Sequence, residues 1–199
     1  MTEFQLFCQQ VATRALPLRP LPVELDRVRQ AAVTLLLRDH QGTAEILIIK
    51  RAERPGDHWS GHLALPGGRA DAEDSDLIVT AARETWEEVG VQLSVAEHFI
   101  GRLETLIPRN ARLPTMEIAP LLAVAPSDVE LHLNEEVAAA FWLPVRTLQD
   151  KGLSEVYRYA LGKTIIKYPA YPSSHGLIWG ITERILTQFL GLLSEEIRA

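Results

Sequence analysis

Hydrophobic positions along the chain fall into two kinds of run. QAAVTLLLRDH (30–40) and AEILIIKRA (44–52) are nearly continuous apolar stretches, separated by His40-Gln41-Gly42. Runs of this length and aliphatic content, broken by a short polar turn with glycine, predict two paired strands. RPGDHWSGH (54–62) reads as a loop, and LALP (63–66) as a short strand that stops at Gly67-Gly68. HFIGRLETLI (98–107), MEIAPLLAVA (116–125) and VAAAFWLPV (137–145) predict further strands.

Helical spacing marks three other segments. Residues 2–15 form a short amphipathic pattern, ended by the proline-rich LPLRPLPVEL. A second helix is expected from Ser75 to Val89, with Asp74 as N-cap and Gly90 as its stop. LIWGITERILTQFLGLLSEEI (177–197) has no internal proline and predicts a long closing helix. Strands first, one helix in mid-chain and one at the end imply an α/β fold, a mixed sheet flanked by helices.

Composition adds few constraints. At 199 residues, 47% hydrophobic and 23% charged, the chain suits one globular domain over 1–199, with residues 1–28 as lead-in and 176–199 as closing helix. The lone Cys8 excludes an internal disulfide framework and a multi-thiolate zinc site, and accords with a reducing cytoplasm. No basic leader precedes a long apolar run, so no signal peptide is expected. No uncharged stretch of about 18 apolar residues predicts a membrane span. A net charge of −6 argues against nonspecific nucleic-acid binding, yet permits an anionic substrate if a divalent cation reverses the local sign.

The informative stretch is ARETWEEVG, residues 82–90. At about 100° per residue, Ile78, Ala81, Ala82, Thr85 and Val89 share the face that must pack on the sheet. Glu84, Glu87 and Glu88 converge on an adjacent flank, while Arg83 and Trp86 lie on others. Converging carboxylates repel, and the two explanations are a solvated acidic face or a face neutralised by bound cations such as Mg²⁺, which prefer oxygen ligands. Gly67-Gly68 just upstream permits a tight turn and a close backbone approach to a metal or phosphate. Glycine pair, acidic loop, Arg-Glu, Glu-Glu and final glycine in that order favour the second.

This combination resembles the Nudix box, G-x5-E-x7-R-E-U-x-E-E-x-G-U with U bulky and aliphatic. Arg83-Glu84-Thr85-Trp86-Glu87-Glu88-Val89-Gly90-Val91 matches its second half except at Thr85. With Gly68 as the box glycine, Asp74 takes the acidic position and eight residues, not seven, separate it from Arg83. That extension, with Asp71, Asp74 and Thr80 in GG-x-x-D-x-x-D and T-A-x-R-E, is similar to the coenzyme A pyrophosphatase branch of the Nudix hydrolases. IWGITERIL (178–186) also resembles a C-terminal stretch of that branch. The branch's upstream coenzyme A motif is altered: Arg51 and Arg54 are present, but PGDHWS is inserted before Gly61 and Leu65 replaces the usual phenylalanine.

The resemblance implies a Nudix α/β/α sandwich with a mixed β-sheet. It also implies Mg²⁺- or Mn²⁺-dependent hydrolysis of a diphosphate in a nucleoside diphosphate derivative. Coenzyme A or acyl-coenzyme A is the first-choice substrate, followed by ADP-ribose or a dinucleotide polyphosphate, with a noncatalytic metabolite-binding Nudix module as the alternative. Glu84, Glu87, Glu88 and the Gly68 carbonyl are then expected to hold metal, and Arg83 to orient Glu84. The water's proton goes either to Glu84 or to a glutamate from a distant loop, Glu135 or Glu136, of which Glu136 better matches the branch. Arg51, Arg54, His58 and Gly67 are the candidate substrate-binding residues. Trp59, Phe141 and Trp142 are candidates to stack on a base. Small homo-oligomers are common in the family, and the apolar closing helix accords with a homodimer.

Overall fold

The computed structural model describes residues 1–24, 28–54, 59–108, 115–162 and 164–194. Its elements in chain order are α1 (Glu3–Arg14), β1 (Arg29–His40), β2 (Thr43–Arg51), β3 (Leu63–Ala64), β4 (Gly67–Arg69), α2 (Leu77–Val89) and β5 (Phe99–Arg102). There follow β6 (Met116–Val124), β7 (Val137–Pro144), α3 (Val145–Lys151), β8 (Glu155–Leu161), β9 (Thr164–Ser173), β10 (Gly176–Trp179) and α4 (Gly180–Leu193).

Among the described residues, seven strands build one mixed sheet. β1 runs parallel to β6, with Ala31 opposite Ile118, and the other pairings are antiparallel. The apolar runs are continuous because both faces of this sheet are covered. Along β1, β2 and β6, Leu35, Leu37, Ile46, Ile48, Ile118 and Leu122 join Val11 of α1, Val145 and Leu148 of α3, and Ile185, Leu186 and Phe189 of α4. The alternate residues Ala32, Leu36, Leu47, Ile49, Ala119, Leu121 and Ala123 pack instead with Leu77, Ile78, Ala81 and Val89 of α2. This is the expected α/β arrangement of helices on both faces of a mixed sheet. Among the described residues no helix is long and apolar enough to cross a membrane.

Several boundaries differ from expectation. The helix over Ser75–Val89 starts at Leu77, and its N-cap is Asp76, not Asp74: Asp76 Oδ1 accepts from the Ile78 N–H at 2.8 Å and its other oxygen accepts from the Leu21 N–H. Asp74 is drawn to a side-chain partner instead. The final segment is not helical throughout, because Leu177–Trp179 belong to β10 and Gly180, at φ +70°, turns the chain into α4. Residues 195–197 of that expected helix lie outside the described residues. The strand expected over 98–107 shortens to Phe99–Arg102, followed by a single bridge between Leu106 and Ile118. β8, β9 and β10 form a second, antiparallel sheet that the patterning did not reveal.

Gly67-Gly68 is likewise not a turn. β1 pairs with β2 only from Leu37 onward and with β4 at Ala31–Val33, on the same edge. Residues 63–69 therefore fill a wedge between the diverging strands: Leu63–Ala64 pair with β2, and Gly67–Arg69 with β1. At Gly67, φ is +148° and any Cβ would overlap the Ala32 carbonyl and Val33. The glycine pair lies inside the sheet, below α2.

Replacing Asp76 by Ala removes the acceptor that caps α2 and ties down Leu21. Chemical denaturation is expected to show a loss of about 1–2 kcal/mol, with Asp76→Ser recovering most of it.

Candidate active site

The acidic helix and the wedge meet around one guanidinium. Arg83 Nε and Nη2 donate to Asp74 Oδ1 and Oδ2 at 3.0 and 2.9 Å, a two-pronged pair. Nη1 donates to Glu84 Oε1 at 2.9 Å and to Glu87 Oε2 at 3.1 Å, and Nη2 also reaches the Arg69 carbonyl at 3.0 Å. Asp74 is buried and accepts from Thr80 Oγ1 at 2.8 Å and the Asp71 N–H at 2.9 Å. Burial alone would raise the Asp74 carboxyl, but Arg83 and these donors hold it below the usual range. Asp74 is thus an anchor for Arg83, and the Thr80 spacing in T-A-x-R-E was its sequence signal.

Glu88 is the deepest of the three glutamates, at 2% exposure, rather than part of a solvent-facing flank. Its Oε2 accepts from the Gly67 N–H at 2.8 Å, and Oε1 lies 4.0 Å from Arg51 Nη1. Burial, with repulsion from Glu84 and Glu136, pushes its carboxyl up to about 7. Glu84 is raised by the same desolvation, against which Arg83 acts, and by Glu87 and Glu136. Gly68 faces the Glu84 carboxylate so closely that a methyl group there would overlap it. Thr85, where the box has an aliphatic residue, is buried and satisfied: its hydroxyl donates to the Ala81 carbonyl at 2.7 Å and lies 2.8 Å from Thr34 Oγ1 on β1.

The distant loop reaches the same place. Glu136 follows Asn134, whose N–H donates to the Glu88 carbonyl at 3.2 Å, and the Glu136 carbonyl accepts from the Ala52 N–H at 2.8 Å. Glu136 Oε1 pairs with Arg54 Nη1 at 3.1 Å; Glu135 is 91% exposed and 3.8 Å from the same guanidinium. Arg51, Arg54, Gly67, Gly68, Arg83, Glu84, Glu87, Glu88 and Glu136 are therefore gathered by contacts around α2 and the wedge. His58 lies outside the described residues. Two of the candidate stacking residues are engaged elsewhere: Phe141 stacks on His175 at 3.8 Å, and Trp142 lies under Arg38 at 4.2 Å.

Among the described residues, no three acidic, His or Cys side chains already converge as a ligand set. Arg83 holds Glu84 and Glu87, and the Gly67 N–H holds Glu88. The donors nevertheless fit a hard divalent cation. Glu84 and Glu87 each commit one oxygen to Arg83, burial first and neighbouring carboxylates second raise the Glu84 and Glu88 carboxyls, and Gly68 leaves the Glu84 carboxylate in space a Cβ would fill.

Fold and site define an α/β protein that presents an acidic helix against a glycine strand, equipped for phosphate-anhydride chemistry. The family model of the NUDIX domain matches residues 28–161. The uncharacterized Nudix hydrolase NudL of Yersinia enterocolitica is 33% identical over 144 residues, covering 71% of this chain and 70% of that protein. An uncharacterized Schizosaccharomyces pombe protein is 41% identical over 107 residues, or 52% of this chain; the match spans only 32% of that protein's length. The crystal structure of a MutT/nudix family protein from Enterococcus faecalis aligns over 96% of this chain and 68% of that one, with a TM-score of 0.58 and 20% identity, a likeness of fold. The chain belongs to the Nudix hydrolase family, whose members generally use divalent metal ions.

Glu88 yields a signed prediction. With its folded-state carboxyl near 7 against the usual 4.5, the folded protein binds more protons than the unfolded chain between those values. The Glu88 contribution to stability therefore declines as pH rises through that window. In chelator, Glu88→Gln should be more stable than the unsubstituted protein at pH 8, by up to about 3 kcal/mol, and equal to it near pH 4.5. Thermal denaturation across that range measures the difference, and equal curves at pH 8 would refute the burial cost.

Proposed function

We propose that this chain is a Mg²⁺- or Mn²⁺-dependent pyrophosphohydrolase that cleaves the diphosphate of a nucleoside diphosphate derivative, with coenzyme A or acyl-coenzyme A as first-choice substrate. The observation that carries the reading is the fork in which Asp74 fixes Arg83, and Arg83 in turn fixes Glu84 and Glu87, beside Gly68. An arginine bound on both prongs by a buried aspartate is a rigid strut, and its remaining N–H groups set where the glutamates stand. Glu84, Glu87, Glu88 and the Gly68 carbonyl would hold the cation. When bound, it screens the charge of the diphosphate and lowers the pKa of the attacking water.

The chain's own groups supply the remainder. Glu84 and Glu136 are the two carboxylates available to take the proton from that water. Glu136 is the stronger candidate, because Glu84 is committed to Arg83 whereas Glu136 is held by the exposed Arg54. Arg51 and Arg54, which face Glu88 and Glu136, would receive substrate phosphates.

Support for the coenzyme A branch comes from its extended box. The Asp71 N–H and the Thr80 hydroxyl both donate to Asp74, so the three matching positions meet at the carboxylate that anchors Arg83. Against this stands the altered motif around Arg51 and Arg54.

Purified protein with Mg²⁺ or Mn²⁺ should be tested on coenzyme A, acyl-coenzyme A, ADP-ribose, diadenosine polyphosphates and nucleoside triphosphates, with chromatographic separation of products. The expected result is release of 3′,5′-ADP and 4′-phosphopantetheine. Glu87→Gln or Glu88→Gln should lower kcat by about 100-fold or more. Turnover of ADP-ribose or a dinucleotide alone would move the substrate and keep the chemistry. Tight binding without turnover of any compound would make the chain a noncatalytic module.

A further inference from the structure

Five aromatic rings gather beside the wedge, outside both hydrophobic clusters. Tyr157 lies nearly parallel to Trp179, with centroids 4.0 Å apart and planes 10° apart. Tyr168 and Tyr159 tilt toward the same indole at 5.2 and 5.9 Å. His62 meets Trp179 edge-on at 4.8 Å and lies 6.1 Å from Tyr157. All five are partly exposed.

The small sheet explains the gathering. Tyr157 stands opposite Tyr168 in the β8–β9 ladder, and Trp179 opposite Ala170 in the β9–β10 ladder. Their neighbours Tyr171 and Ile178, also paired, point the other way into the core. Alternation thus gives this sheet one face for the core and one lined with rings. Rings on the second face add little to the core and remain partly wet, as expected of a binding surface rather than a packing one.

Arg51 ties this surface to the acidic site. Its N–H donates to the His62 carbonyl at 3.0 Å, while its guanidinium lies 4.0 Å from Glu88. Arg51 therefore touches both the backbone of the segment that carries His62 and the acidic site.

We propose that His62, Tyr157, Tyr168 and Trp179 form the subsite for the planar base of the substrate, with the diphosphate crossing Arg51 toward Glu84 and Glu88. This rests on the reading of the substrate as a nucleoside diphosphate derivative. Stacking suits the task because every base presents a π face, and aromatic platforms bind bases with little dependence on their edges.

The test uses two ligands that divide the substrate: AMP, with a base but no diphosphate linkage, and inorganic pyrophosphate, with the reverse. Calorimetry would follow both with the unsubstituted protein, Tyr157→Leu and Trp179→Leu in Mg²⁺, after circular dichroism has verified folding. Tyr157→Leu is included because loss of Trp179 removes the centre of the cluster. Either folded variant should bind AMP at least tenfold more weakly and pyrophosphate within twofold of normal. In saturation-transfer NMR with the aromatic protons irradiated, the adenine H2 and H8 of AMP should receive the strongest transfer.

Unchanged AMP affinity, or parallel loss of AMP and pyrophosphate, would overturn the proposal. The two readings fail separately. A protein that binds AMP through these rings yet cleaves no diphosphate refutes the hydrolysis and supports the platform. One that cleaves nucleoside diphosphate derivatives with the same KM after Tyr157→Leu refutes the platform and supports the hydrolysis.

Discussion

The closeness of the Gly67-Gly68 backbone to its neighbours on two sides governs the site. Below, Gly67 touches β1 where no Cβ can fit; above, Gly68 touches the carboxylate of Glu84 on α2. A Cβ at Gly67 would push the strand from the sheet, and one at Gly68 would displace the Glu84 carboxylate. α2 is held at this height by Leu77, Ile78, Ala81 and Val89 packed on the sheet, and by the Thr85–Thr34 hydroxyl contact. The Thr34 N–H in turn donates to the Pro66 carbonyl at 2.8 Å, just before the glycines. Apolar packing sets the approach, and a few directional bonds set the register.

Charge is distributed unevenly within that frame. Asp74 and Arg83 satisfy each other, and the aspartate stays ionised despite its burial. Among the described residues, Glu88 has a backbone N–H and a cation at 4.0 Å, too little to offset its desolvation. The protein thus tolerates a costly carboxylate beside a well-paired one. Such a local expense is the usual mark of a functional group rather than a structural one.

Much of this was legible in the chain because it depended on local spacing. Helix α2, its glycine stop and the convergence of Glu84 and Glu87 follow from 3.6-residue periodicity and one residue type at Gly90. The long strands were legible because burial on both faces leaves unbroken apolar runs. What stayed hidden depends on distant partners. Asp74 looked like a cap until Arg83, nine positions later, claimed both of its oxygens. β4 looked like a turn because glycines carry no pattern of their own, and only the divergence of β1 and β2 makes room for them. β8 and β9 alternate tyrosines with charged and small residues, so they show neither a helical stripe nor an apolar run. Burial of Glu88 is likewise set by the Gly67 strand and not by its own helix.

The order of the strands has a consequence for how the molecule assembles. β1 must pair in parallel with β6, so that Ala31 meets Ile118, and parallel partners are found only after a long loop has closed. Every box residue from Gly68 to Val91 leaves the ribosome before that partner exists. Glu136 comes later still, and its carbonyl must then find Ala52. The acidic helix is therefore made before part of its floor, the β6 residues Ala119, Leu121 and Ala123. The contact between the Glu136 carbonyl and Ala52 is among the last to form, which makes the full site geometry a property of the nearly completed chain.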